Sequence, residues 1–280
     1  MMMAFVARAP TPVTKLKLIK WLFVAATEHA AAEHVPFYDF LPYQYGPFSF
    51  TAYHDLNRLS ARGLLLNERQ AVAVGAKRRV EDAVARLSDG ATKVVDAVLA
   101  EYGKLGRTAI IDRVYASHPW FASRSKLRPV VAGPKAPTAV YTCGYEGASI
   151  DAFLNRLLKK GIRRVIDVRK NAYSMKYGFT GGVFRTLCKN VGIDYAHVPQ
   201  LGVPSDLRGD LSKPGARAAL FAHYCSEIVP AQLTAQDQVA ALVLERPSAL
   251  LCFEAQAHDC HRGSLAPFIS KQTGLGVVHL

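Results

Sequence analysis

The densest chemistry in this chain lies near its end: Cys252-Phe253-Glu254, a short linker, then Cys260-His261-Arg262. Residues 250–254 are an apolar run of strand length that closes on a carboxylate, and a helical pattern over 265–269 follows Arg262. In an open α/β sheet, the carboxyl end of a strand and the start of the next helix form the usual reaction site. Free N–H groups and the helix dipole there attract anions and lower a thiol's pKa. Glu254 therefore reads as an acid–base group. Cys260 reads in two ways: as a nucleophile activated by His261, or as a small buried residue beside a phosphate held by His261 and Arg262. Zinc held by Cys252, His258, Cys260 and His261 is disfavoured. Cys252 and Cys260 lack a standard ligand spacing, and the adjacent Cys260 and His261 are expected to point apart. No metal and no other cofactor is expected.

Two further strand ends carry polar groups. Residues 140–143 run into Gly144-Tyr145-Glu146-Gly147, and residues 164–168 into Asp167-Val168-Arg169. Glu146 and Glu254 together suit general acid–base work on a glycosidic or phosphoryl bond. Arg169 reads either as a phosphate ligand or as the partner of Asp167 in a salt bridge. The loop after it holds Lys170, Tyr173, Lys176 and Phe179, a mixture that suits a nucleotide phosphate with a stacked base, or an ordinary solvated loop. Arg208 and Lys213 flank a second connection rich in Pro and Gly.

The elements that must position these groups follow from periodicity. Beyond residue 138, short apolar runs at 140–143, 164–168, 195–198, 250–254 and 276–280 alternate with helical patterns. That alternation predicts an α/β domain over 138–280, Rossmann-like in outline, with a mainly parallel sheet covered on both faces. Residues 129–137 read as a linker. Residues 1–130 read as a separate, mostly helical domain. A helix over 15–32 is capped by Thr14, an aromatic loop spans 37–50, and a second helix ends at Gly63. Two short strands follow near 64–66 and 71–74, with helices at 81–102 and 107–117.

Two resemblances add to this reading. The N-terminal pattern Tyr45-Gly46-Pro47-Phe48-Ser49-Phe50, Tyr53, Asp55-Leu56, Leu59 and Gly63-Leu64-Leu65 resembles winged-helix-like modules, which implies nucleic-acid or partner binding. The C-terminal half resembles the domain of unknown function 488 family. The marks are Gly144 to Gly147, Asp167-Val168-Arg169, Gly178-Phe179, Gly192-Ile193 with Tyr195 and His197, Leu201-Gly202, and Cys252-x-Glu254 before Cys260-His261-Arg262. That resemblance implies an α/β domain acting on nucleic acids or nucleotides.

Composition bounds the function. The 280 residues hold 35 Lys+Arg against 22 Asp+Glu, a net charge of +13. Residues 1–135 carry 19 basic and 11 acidic groups, hence +8, so the excess is strongest in the N-terminal half. A polyanionic partner, DNA above all, fits this balance. Five cysteines, an odd number without a CxxC pair, fit a reducing cytoplasm better than a disulfide framework. No stretch reads as a signal peptide or membrane span. The expected protein is a hydrolase or DNA-glycosylase-like enzyme acting on modified or damaged DNA, in repair or defence. Two alternatives are a DNA-binding regulator whose C-terminal pocket senses a small anion, and a Cys260-dependent enzyme on a small substrate.

Overall fold

The computed structural model describes residues 1–69, 71–128, 132–210 and 213–280. The chain divides into two units, Met1–Ala132 and Gly133–Leu280.

The first unit is mostly helical. Helix α1 is Met2–Ala7 and α2 is Lys15–Thr27. Helix α2 begins where the Thr14 side chain accepts the Lys17 N–H at 3.2 Å, and it buries Leu18, Trp21, Leu22 and Phe23 in the core of the unit. The aromatic segment expected as a loop forms a hairpin, β1 (Leu41–Tyr43) with β2 (Gly46–Phe48). Gly46 takes φ +89°, and a Cβ there would lie 2.5 Å from the Tyr115 ring, so the turn needs glycine both for its backbone and for the approach. Ser49 caps α3 (Phe50–Ala61) by accepting the Ala52 N–H. Strands β3 (Leu65–Asn67) and β4 (Val72–Val74) pair antiparallel. Three helices follow: α4 (Lys77–Val84), α5 (Asp89–Tyr102) and α6 (Arg107–Ser117). The single helix expected over 81–102 is interrupted because Ser88 acts as a cap, its hydroxyl accepting the Ala91 N–H at 3.2 Å. In the expected linker, 132–137 has no regular structure, and 129–131 lie outside the described residues.

The second unit is α/β. Its elements are β5 (Val140–Gly144), α7 (Ile150–Lys159), β6 (Arg164–Asp167), α8 (Gly181–Asn190), β7 (Asp194–His197), α9 (Ala216–His223), α10 (Leu233–Glu245), β8 (Ser248–Cys252), α11 (His261–Thr273) and β9 (Val277–His279). A π turn, Tyr224–Ile228, continues α9. The five strands lie in the order β7-β6-β8-β5-β9, all parallel. Every residue of β5, β6 and β8 is buried, as expected of central strands covered on both faces.

Two consequences shape the site. The chain leaves β6 toward one edge of the sheet, to β7, and leaves β8 toward the other, to β9. The carboxyl ends of these neighbours therefore diverge, and such a switch point is where an open sheet forms its crevice. Strand β8 also stops at Cys252, two residues before the expected end. The Phe253 carbonyl turns to accept the N–H groups of both Tyr145 (3.0 Å) and Glu146 (2.9 Å), which lifts Glu254 out of the sheet.

Candidate functional site

A crevice of about 410 Å³ opens at the carboxyl ends of β5, β6 and β8. Its walls include Tyr145 after β5, Arg169 after β6, and Cys252, Phe253 and Glu254 at the end of β8. His261 at the start of α11 and Asp259 before it complete that side, and Tyr173, Met175, Arg208 and Arg217 stand opposite.

Glu254 is half-buried and faces the crevice. Cys252 and Glu254 are two residues apart in extended chain and so share a face; the Cys252 thiol lies 3.5 Å from Glu254 Oε2. Burial pushes the Glu254 carboxyl upward, but the Cys260 thiol, its own backbone N–H, the Cys252 thiol and the charge of His261 outweigh that and hold it below the ordinary range. Its main chain is fixed just as firmly. Arg262, buried, donates from Nη1 to the Glu254 carbonyl (2.6 Å) and from Nη2 to that of Ala255 (2.8 Å). Glu146 Oε2 accepts the Ala255 N–H at 2.9 Å. Gly144 completes the clamp, since a Cβ there would sit 1.8 Å from the Glu254 carbonyl oxygen.

The expected site residues thus fall into different places. Glu254 and His261 line the crevice. Glu146 does not; exposed on its turn, it holds the 254–255 backbone. Arg262 likewise binds backbone instead of facing solvent. Arg169 lines the crevice, but its donors are committed: Nε to Asp167 Oδ1 (2.8 Å), Nη2 to Asp167 Oδ2 (2.6 Å) and the Phe179 carbonyl (3.0 Å), Nη1 to the Tyr145 hydroxyl (2.9 Å). Asp167, fully buried, also accepts from the Tyr195 hydroxyl at 2.8 Å. The pair is the internal salt bridge, one of the two roles its spacing allowed, and it orients the Tyr145 ring, which stacks on Phe179 at 4.1 Å. Tyr173 is 71% exposed at the crevice mouth beside Met175, 93% exposed, and Phe253. Lys170 and Lys176 lie off the crevice walls; Arg208 and Arg217 are the cations there instead. Arg217 pairs with Asp259 at 2.7 Å, both side chains about two-fifths exposed.

Cys260 is 1% exposed, does not line the crevice, and is pushed well above the ordinary thiol range by burial. That burial favours the second of its two roles, the small buried residue, because a neutral, enclosed thiol is a poor nucleophile. The expectation that Cys260 and His261 point apart fails. Cys260 caps α11 in an extended conformation (φ −136°, ψ 141°) while His261 opens the helix, and the change of backbone there brings Sγ to 3.9 Å from His261 Nδ1. His258 is exposed and apart, beside Asp259. Cys252, 5% exposed, is buried and still reaches the crevice wall, on the same face as Glu254 two residues on.

Among the described residues no helix is long and apolar enough to cross a membrane. No curated protein and no solved structure matches the chain. Residues 149–269, from the cap of α7 into α11, match the family described as Domain of unknown function DUF488, which supports the resemblance of the C-terminal unit to that family.

Proposed function

We propose that the C-terminal crevice hydrolyses a bond in a nucleotide unit of modified or damaged DNA, with Glu254 taking the proton of the attacking water. One observation carries the reading: an anchored, ionised carboxylate opens into a crevice at the switch point of the sheet, below an aromatic and apolar rim. Tyr173, Met175 and Phe253 offer faces on which an unstacked base can lie, and such stacking contributes roughly 1–3 kcal/mol per base. Arg208 and Arg217 supply positive charge for a phosphate. Enzymes that act on a base or its sugar must draw the nucleotide out of the helix, and a crevice of this size with a stacking rim suits that.

The N-terminal unit, with its two hairpins, capped helices and basic excess, is read as the module that holds DNA. Tyr43, Tyr45, Phe48 and Tyr53 line a cavity of about 380 Å³ together with Lys15, a combination suited to a nucleic-acid strand. The test is incubation of the full-length protein with modified and damaged DNA, followed by mass spectrometry of released products. A released base, nucleoside or nucleotide supports the reading. Tight DNA binding with no product from any substrate would favour a regulator instead.

A further inference from the structure

The Cys252, Cys260 and His261 cluster holds donor atoms for more than the contacts that keep the Glu254 carboxyl low. Three buried side chains with soft or borderline donor atoms converge at one point: Cys252 Sγ, Cys260 Sγ and a His261 ring nitrogen all lie within 4.8 Å of one another. His261 Nδ1 is 3.5 Å from Cys252 Sγ and 3.9 Å from Cys260 Sγ. In a tetrahedral zinc site, with Zn–S near 2.3 Å and Zn–N near 2.0–2.1 Å, sulfur and nitrogen ligand atoms are separated by about 3.6 Å. The observed spacing brackets that value.

The ring is also held in the right form. His261 Nε2 lies 3.0 Å from the Val168 carbonyl, which can only accept, so Nε2 keeps a proton in either charge state and Nδ1 is the nitrogen left facing the two sulfurs, free to ligate in the neutral ring. A ligating histidine fixed through its other nitrogen by a backbone carbonyl is the usual outer-shell arrangement of metal sites. The Tyr224 ring packs edge-on against the imidazole at 5.4 Å and limits its rotation. Two of the three residues, Cys252 and His261, line the crevice, and Glu254 stands beside Cys252 on that side.

We propose that Cys252, Cys260 and His261 form a site for a thiophilic divalent cation of the zinc class, set in the wall of the crevice with Glu254 next to its open side. Binding displaces the thiol protons of both cysteines and leaves the His261 Nε2 proton in place. Both cysteines are largely buried, at 5% and 1% exposure, which suits soft ligands and slows oxidation, while Cys252 leaves one side of the site open to the crevice. The inference rests on donor geometry alone and does not depend on what the crevice acts on.

The experiment is metal analysis of the full-length protein, purified without a histidine tag, followed by removal of metal under reducing conditions and titration with Co²⁺. The expected result is about one equivalent of zinc per chain, and a thiolate-to-cobalt charge-transfer band on titration. Cys252→Ser, Cys260→Ser and His261→Gln should each lower affinity by more than the 10–100-fold typical of an outer-shell change. Cys225→Ser, outside the cluster, should not. Should a cluster variant fail to fold, wild-type melting with and without chelator decides, because a bound cation stabilises the native state by mass action. Absence of metal, of the cobalt band and of any chelator effect in wild type would overturn the proposal. So would a Cys252–Cys260 disulfide in the protein as isolated, or a cobalt band that survives in the Cys252→Ser/Cys260→Ser variant.

Discussion

Asp167 and Arg169 show how a charged pair can read as a site and act as a frame. Four hydrogen bonds converge on the Asp167 carboxylate, from Arg169 Nε, Nη2 and backbone N–H and from the Tyr195 hydroxyl. Removing one partner of a buried pair strands the other and costs about 3–5 kcal/mol. Arg169→Met is therefore expected to lower unfolding free energy by that order in urea titrations. Arg58→Ala, which breaks an exposed pair with Asp55, should change it by less than about 1 kcal/mol. Gly144 is the other decisive residue. Gly144→Ala places a methyl group against the Glu254 carbonyl and must push the 253–255 backbone outward. The expected outcome is a folded protein with a lower melting temperature and a displaced Glu254, seen as loss of turnover with DNA affinity retained. Unchanged activity in Gly144→Ala would show that this approach does not position the carboxylate. Much of this was legible by type and place: a carboxylate after β8 and a histidine opening α11 both face the crevice. Partner choice was not. Nothing in the order of residues says that Arg262 would bind two carbonyls, or that Glu146 would hold a backbone N–H, because both depend on how Phe253 leaves the sheet.

At the scale of elements, alternating apolar runs and helical patterns give the five parallel strands closely, because central strands buried on both faces leave a plain apolar signature. The misreadings fall where local chemistry competes with the pattern. The aromatic segment 37–50 forms β1 and β2 despite two prolines, which face each other across the hairpin. Beneath that hairpin sits Lys20, 2% exposed, donating to the carbonyls of Tyr45 (2.6 Å) and Pro47 (3.0 Å). Burial pushes its ammonium down to about 7 from the ordinary 10.5. Between those two values the unfolded chain holds a proton at Lys20 that the folded chain has released. Stability from this group therefore rises as pH increases from about 7 toward 10.5, and the group contributes no such gain below that window. Denaturation of wild type and Lys20→Met across pH 6–10 should show wild type gaining on the variant through the alkaline range. A constant difference across that range would mean that Lys20 titrates normally in the folded state.

At the scale of the whole molecule, the division into Met1–Ala132 and Gly133–Leu280 separates a basic helical unit from an α/β unit with a crevice. DNA binding through several Lys and Arg side chains releases counterions, so the affinity of the full-length protein should fall steeply with salt, with a log–log slope of about −0.9 for each phosphate neutralised. Charge reversal at Lys77, Arg78 and Arg79, grouped at the start of α4, should reduce that slope if α4 lies on the DNA. A flat salt profile would remove DNA from the account of the N-terminal unit.

The central claim is that Glu254 moves a proton in the crevice. The measurement that bears on it most directly is single-turnover product release by Glu254→Gln beside wild type, on a DNA substrate that wild type processes. The amide keeps the size of the carboxylate and cannot accept the proton of water. General base catalysis contributes roughly a hundredfold to ten-thousandfold, and the rate should fall by that order while melting temperature and DNA affinity stay near wild type. A Glu254→Gln protein that folds, binds and releases product at the wild-type rate would contradict the claim.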